Sequence, residues 1–446
     1  MKRNLGFFWG IMILLLSAIL VGCGGTENTG GPDNVDENEN TGENDGNEVS
    51  EGDDEDKVVS IWFGREQFIP DDQFDKFHEE NPGITVEWDV IPLEQAVADY
   101  LRNHNAGNAP DMVQIFHEYS QTLAVQEAAL DMTPYYEQWE EEDPDSYNNL
   151  MSQAFDIPSY EGRPYGLAVH AAPYWMAYRK DWFEEAGIAE PESWDDVLDA
   201  ARTLKDDGHL SNQQYGFVTP GDRTTPPLWF SSMFMSMGGQ YSDTGLPVVD
   251  SDAGEYIVDF HQTLVREGLT SNEVLSWDSG AMRGSFMSGN AAMIPEAFNM
   301  FAAFQDELEY GTEWEGMVQP HRPGGEDDFR VNMFSWPLIV NSDTEHPEEV
   351  VKVLQYLTDT EIVRDVAMGY QPTTNAEVME EYFEVNEWSH GFEEAFASGV
   401  VLPSHLRQPE VYDILGEMVQ EALSNYDSDP SEIVQEYQEK LNELDN

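Results

Sequence analysis

The side chains best equipped for chemistry in this 446-residue chain are carboxylates and aromatic rings: 88 aspartates and glutamates stand against 20 lysines and arginines, beside 12 tryptophans and 19 tyrosines. Carboxylates accept hydrogen bonds from hydroxyl groups, and two of them about 5 to 9 Å apart across a cleft can hydrolyse a glycosidic bond. Aromatic planes stack on ring-shaped ligands, although in any protein they more often fill cores. Position therefore separates candidates better than count. Three runs have the character of buried strands: VVSIWF (Val58 to Phe63), ITVEWDVI (Ile84 to Ile91) and DMVQIF (Asp111 to Phe116). Helical spacing fills the intervals from Asp71 to Asn81 and from Leu93 to Asn103. Strand and helix in turn predict an α/β fold with mostly parallel sheets flanked by helices. In such sheets ligands lie beyond the carboxyl ends of strands, which directs attention to Gly64-Arg65-Glu66, Pro92-Leu93 and His117-Glu118.

Other chemistries find less support. The pairs His78-Glu79 and His117-Glu118 lack the second histidine four residues on that a helical zinc site needs, and no GxxxxGK[ST] phosphate loop occurs. No metal or cofactor is expected. Cys23 is the single cysteine, which rules out an internal disulfide and a zinc site built on several thiolates. Its setting suggests another use. Met1-Lys2-Arg3 followed by an apolar run from Leu5 to Val21 has the layout of an export signal, and Leu20-Val21-Gly22-Cys23 resembles the lipobox of bacterial lipoprotein precursors. That resemblance implies cleavage after residue 22 and lipidation of Cys23; the alternative is an uncleaved membrane anchor. From Thr26 to Asp56 there is no aromatic and no basic residue, so nothing there can form a core. Residues 23–56 are expected to be a disordered acidic tether with a mean reach of roughly 30 Å as a flexible coil.

The chain carries a formal charge of −68, and the acid extends well beyond the tether. Such a surface repels nucleic acid and anionic headgroups, so DNA and RNA are excluded as partners. A uniformly acidic, lysine-poor exported protein points to a habitat of high salt or high pH. About 390 residues follow Lys57, more than one core usually holds, so two domains or lobes are expected.

FDKFHEENPGITVEW (Phe74 to Trp88), GNAPDMVQIF (Gly107 to Phe116), YGLAVHAAPYWMAYRKDWFEEAGIAEPESWDDVLDAARTL (Tyr165 to Leu204), SFMSGNAAMI (Ser285 to Ile294) and YQPTT (Tyr370 to Thr374) resemble, in order, blocks of the bacterial extracellular solute-binding proteins of family 1. Each block also has a local physical meaning. In the third, Gly187 can stop a helix, and Ser193 or Glu192 can start one whose apolar face is Val197, Leu198, Ala201 and Leu204.

The resemblance implies a two-lobed, periplasmic-binding-protein-like fold of type II, with a ligand cleft between lobes. It places 57–168 with 338–375 in an N-terminal lobe and 169–337 with 376–446 in a C-terminal lobe. It implies a lipid-anchored, extracytoplasmic receptor, monomeric, that takes a sugar or oligosaccharide by lobe closure. An ABC permease with a separate ATPase would then receive it. By similarity, Trp229, Trp277 with Asp278, and Trp336 fall where stacking groups stand, and Glu118 where a hydroxyl-binding acid stands. Arg65 and Glu66 follow the first strand. His170 replaces an acidic ligand contact, and Asn299 replaces a stacking aromatic, with Glu296 or Phe298 to compensate. A lipid-anchored glycoside hydrolase, a receptor for a non-sugar solute and an adhesive surface protein remain alternatives at this stage.

Overall fold

A computed structural model describes residues 57–445, except 71, 73, 298–300, 326–329, 370, 387, 388 and 390. Cys23, the segment 23–56 expected to act as a tether, Phe298 and Asn299 lie outside these residues. Asp54–Asn446 forms one compact unit.

Two sheets organise it. The first takes β1 (Lys57–Phe63), β2 (Ile84–Val90) and β3 (Met112–Gln114) early in the chain. Alternation of buried and partly exposed residues along β1 puts Val59, Ile61 and Phe63 into the core. β1 runs parallel to β2 from Lys57↔Ile84 to Phe63↔Val90, and parallel to β3. After a short hairpin of β4 (Ser159–Tyr160) and β5 (Arg163–Pro164), β6 (Gly166–Leu167) completes the sheet together with the late strand β11 (Leu338–Val340). The order is β2-β1-β3-β11-β6. The parallel arrangement expected from the alternating pattern holds for β2-β1-β3. β11 runs antiparallel to β3 and β6, because it enters from the other half of the molecule and not through a helical crossover.

The second sheet is centred on β7 (Ala171–Tyr178), whose eight residues are all buried. β8 (Met293–Ala297) and β9 (Glu315–Val318) flank its later part and β10 (Met333–Ser335) pairs with its beginning, all antiparallel. A strand enclosed on both faces carries a continuous apolar run, here AAPYWMAY, without alternation. The chain passes from one sheet to the other between Leu167 and Ala171, and back between Ser335 and Leu338. A third segment lies beside the first passage: Thr374 N donates to Val169 O at 3.0 Å, and the Thr374 and Thr373 hydroxyls donate to the carbonyls of Ala168 and Val169 at 2.7 and 2.9 Å.

Local signals in the sequence settle several helix ends. Ser193 caps the helix Trp194–Asp206 in a reciprocal capping box with Asp196, and Val197, Leu198, Ala201 and Leu204 are buried as the spacing predicts. The helix Lys180–Ala186 stops at Gly187, whose φ of 68° suits glycine. Asp181 does not cap that helix; it pairs with Arg179. The first predicted helix is shorter than its pattern and spans Asp75–Glu80, because the Asp72 carboxylate takes the backbone N–H groups of Phe74 and Lys76 and sets its start. The late helices Gln408–Ser424 and Pro430–Asn442 pack on each other and on Asp252–Arg266 in the half built on the second sheet. Among the described residues no helix is long and apolar enough to cross a membrane.

Candidate functional site

The carboxyl ends of β1 and β3 meet the second passage of the chain at one side chain. Gln114 is 3% exposed; its Oε1 accepts from Gly64 N at 2.9 Å and its Nε2 donates to Trp336 O at 3.1 Å. One buried amide thus ties the turn after β1 to the crossing between sheets. The residues on either side of that tie, Arg65 and Trp336, open onto a cavity of about 290 Å³ between the two halves.

One wall of the cavity is aromatic. Trp336 lies 5.4 Å from Phe68 and 5.3 Å from Phe334 between ring centroids. Phe334 contacts Tyr174 at 5.4 Å, and Tyr174 meets Trp229 edge to face at 5.3 Å and 88°. Each ring holds the next against rotation, so the wall is preorganised. Trp229 stands on the first turns of the helix Pro226–Ser236, which starts with proline where no donor is lost. Its Nε1 is buried and makes no hydrogen bond.

The opposite side is polar. β3 ends in the short 3-10 turn His117–Tyr119, which buries His117 and Glu118. Glu118 Oε1 accepts from the Tyr412 hydroxyl at 3.0 Å, while Oε2, 3.3 Å from His117 Nδ1, has no hydrogen bond. His117 Nδ1 sits 3.3 Å from the backbone of Ser335, and its Nε2 is likewise buried and unbonded. Burial, with the charge of Glu118 second, pushes the hydroxyls of Tyr412 and Tyr174 far above their ordinary range, so both remain protonated. Arg283 also faces the cavity, but it grips Glu296 with two bonds, Nε to Oε2 at 2.6 Å and Nη2 to Oε1 at 2.7 Å. Buried polar atoms normally have partners, so unpaired atoms on Trp229, His117 and Glu118, all on one lining, are the feature to explain.

The expected residues therefore divide. Arg65, Glu118, Trp229 and Trp336 converge on the cavity. Glu66 is exposed at the start of the 3-10 turn Glu66–Phe68, outside the lining. His170 is buried at the first passage, its ring 5.1 Å from Phe68 and facing the core of the first sheet. Trp277 is half-buried and its carbonyl accepts from the backbone of Gly221 and Asp222. Asp278 caps the helix Ser279–Met287 through Ala281 N at 2.8 Å, which accounts for its carboxylate. Glu296 is fully buried in the pair with Arg283. Pro92 precedes and Leu93 starts the helix Leu93–His104, where Leu93 packs against Gly64. The cavity also uses Tyr174, Phe334 and Arg283, which sequence reasoning did not single out. Phe334 and Trp336 flank one serine in NMFSWP, a signal available in principle; for Tyr412, nearly 300 residues after Glu118, there was none.

Comparison with known proteins decides the family. Residues 65–363 match the model of the bacterial extracellular solute-binding proteins. The chain belongs to that family. A binding protein of Brucella abortus (strain 2308) is 23% identical over 315 residues, 69% of this chain and 73% of its own. Among solved structures, the sugar-binding protein MalE from Xanthomonas citri aligns with a TM-score of 0.74 at 16% identity, covering 87% of this chain and 97% of that one. An ABC transporter solute-binding protein from Thermotoga lettingae, bound with α-D-tagatose, aligns at 0.70 and 20% identity, covering 87% and 99%. At such identities the structures establish a shared two-lobed fold. Members of the family capture solutes, and among the described residues of this one no cluster of three or more His, Cys, Asp or Glu side chains could hold a metal.

Proposed function

We propose that this protein is an extracytoplasmic receptor that encloses a sugar or small oligosaccharide between its lobes and delivers it, unchanged, to the permease of an ABC importer. The observation that carries this reading is the lining of the 290 Å³ cavity, where a wall of fixed rings faces buried polar atoms that lack partners. A saccharide offers both complements, C–H faces for the rings and hydroxyls for Glu118 Oε2, His117 Nε2 and Trp229 Nε1. The size is at the small end of the usual range of about 300–1,000 Å³, which favours one or two sugar units. The sugar-bearing structural neighbours support the same class.

On this reading the lobes are 57–168 with 338–375 and 169–337 with 376–446, a division supported by each sheet drawing its strands from one of these sets. The hydrogen bond from Tyr412, on a helix packed in the other half, to Glu118, after β3, links the two sides of the cavity, and closure over a ligand would exclude water from it. Lipidation of Cys23 would hold the receptor at the outer face of the membrane, the acidic tether giving it reach. The hydrolase reading needs two carboxylates across the cleft; among the described residues Glu118 is the carboxylate of the lining, and Glu296 is engaged by Arg283.

The test is a thermal-shift screen of the unit from Asp54 onward against mono- and oligosaccharides and polyols, with product analysis of each hit. A ligand at 100 times its dissociation constant adds about 2.7 kcal/mol of apparent stability. A sugar that stabilises and is recovered intact supports the receptor; a cleaved hit or silence across the library overturns it. Replacing Cys23 by serine should move the full chain from the membrane to the soluble fraction.

A further inference from the structure

We propose that the ligand is an acidic sugar whose carboxylate pairs with Arg65; this rests on the receptor reading above. In a chain with 88 acidic and 20 basic residues, nearly every described lysine and arginine has found a partner. Arg202 is bound to Glu267, Arg364 to Glu381, Arg407 to Glu410 and Lys57 to Glu349. Even Arg283, facing the same cavity as Arg65, is neutralised in a fork-to-fork pair with the fully buried Glu296. Among the described residues the Arg65 guanidinium makes neither an ion pair nor a hydrogen bond, while its backbone carbonyl accepts from Phe68 N at 3.3 Å. Its one engagement is with a ring: its guanidinium lies 5.7 Å from the centroid of Trp336.

That contact orients the group. Trp336 is 8% exposed and locked between Phe68 and Phe334, so the guanidinium rests on a fixed surface and lines the cavity with its donors uncommitted. Arg65 is exposed, so water satisfies them at little cost. When the lobes close over a ligand the solvent leaves, and a guanidinium without an anion becomes costly. The carboxylate in the same lining makes no ion pair with Arg65: Glu118 is buried, with Oε1 taken by the Tyr412 hydroxyl and Oε2 lying 3.3 Å from His117 Nδ1. The anion must come with the ligand.

A carboxylate fits this position better than a phosphate. A planar guanidinium matches a planar carboxylate in two parallel bonds, whereas phosphate sites draw on several backbone N–H groups at a helix N-terminus. Here the turn after β1 leads only into the three-residue 3-10 turn Glu66–Phe68. The remaining wall of Trp229, Tyr174 and Phe334 keeps its affinity for the sugar ring. The expected ligand class is therefore the uronic or aldonic acids and short oligosaccharides ending in them.

The test uses the full chain in detergent and titration calorimetry with matched probes: galacturonate and glucuronate, galactose and glucose, and galactose 6-phosphate, each in low and in high NaCl. The expected result is at least tenfold tighter binding of an acidic sugar than of its neutral counterpart, with the ratio shrinking in high salt as the charges are screened. Arg65→Gln should collapse that ratio towards one, and Arg65→Lys should restore part of it, since a point charge attracts without matching the fork. Neutral sugars bound as tightly as acidic ones, or an Arg65→Gln variant that weakens both equally, would overturn this inference and leave the receptor standing. Preference for the phosphate would overturn the carboxylate assignment, and absence of binding by every saccharide would overturn both readings.

Discussion

The half of the molecule built on β2-β1-β3 and the half built on β7 contribute to one cavity in different ways. The first half supplies polar groups from positions just after its strands: Arg65 follows β1, and His117 and Glu118 follow β3. The second half supplies rings and a neutralised ion pair: Trp229 from a helix, Tyr174 from within β7, Phe334 from β10, and Arg283 gripped by Glu296 on β8. The contrast follows from backbone direction. Parallel strands end together on one edge and present successive turns to a ligand there, whereas the antiparallel strands of the second sheet reach the cavity through side chains along their length. The first half therefore carries orientation and charge, and the second carries apolar area and rigidity.

Four perturbations break or sharpen this comparison. The largest effect belongs to the second half. Glu296→Ala removes the buried carboxylate that grips Arg283 through two bonds; Arg283 is 24% exposed and can regain some water, so the loss should fall near the low end of the range for broken buried pairs, about 3 kcal/mol, read from urea denaturation. Were Glu296 mainly a ligand contact, affinity would fall and stability would hold.

Next comes acid. Burial holds His170, beside the first sheet, and His261, in the helix Asp252–Arg266, down to about 4 from an ordinary 6.5. Between those values the unfolded chain binds protons that the folded one refuses, so stability is lost as pH falls from about 6.5 towards 4. Each site contributes at most about 3 kcal/mol by pH 4. His170→Gln and His261→Gln should each flatten the pH dependence by about one proton. Equal curves for variant and parent would mean that the rings are open to water.

Tyr412→Phe removes the hydroxyl that joins the halves. A hydrogen bond to a charged group is worth about 1.5–3 kcal/mol, so ligand dissociation should accelerate roughly tenfold or more, with a larger mean radius in solution scattering and unaltered ranking of ligands. A changed ranking with unchanged dissociation would make Tyr412 a ligand contact. The smallest effect is expected for Trp229→Phe, which keeps the edge contact with Tyr174 but loses the free Nε1 donor; affinity should drop by about 1 kcal/mol, measured by calorimetry, while the fold is retained.

Legibility in the sequence followed the same division. The strands of the first half and the residues after two of them were within reach, because a buried strand and its turn are local patterns. Even there Pro92-Leu93 lie outside the cavity lining, since the turn after β2 is occupied by a helix start that packs Leu93 against Gly64. In the second half, Trp277 and Asp278 were reasonable candidates by position, yet the structure gives one a half-buried place near Gly221 and the other a helix cap. Glu296 shows the same limit: sequence displays an acid, and only the fold shows that Arg283, thirteen residues earlier, holds it.

By itself the sequence determined the α/β alternation, the caps at Ser193 and Gly187, the acidity, the isolation of Cys23 behind an export-like leader, and the family. The alternation, the caps and the acidity are set by composition and by neighbours within a few residues, whereas the family rests on the ordered resemblance of five blocks from Phe74 to Thr374. The tertiary structure decided which polar groups share a lining, that Gln114 ties the turn after β1 to Trp336, that Glu118 meets Tyr412, and that Arg65 rests against Trp336 with no ion pair among the described residues. Those contacts join residues tens to hundreds of positions apart, and a partner at such separation leaves no periodic trace in a single chain.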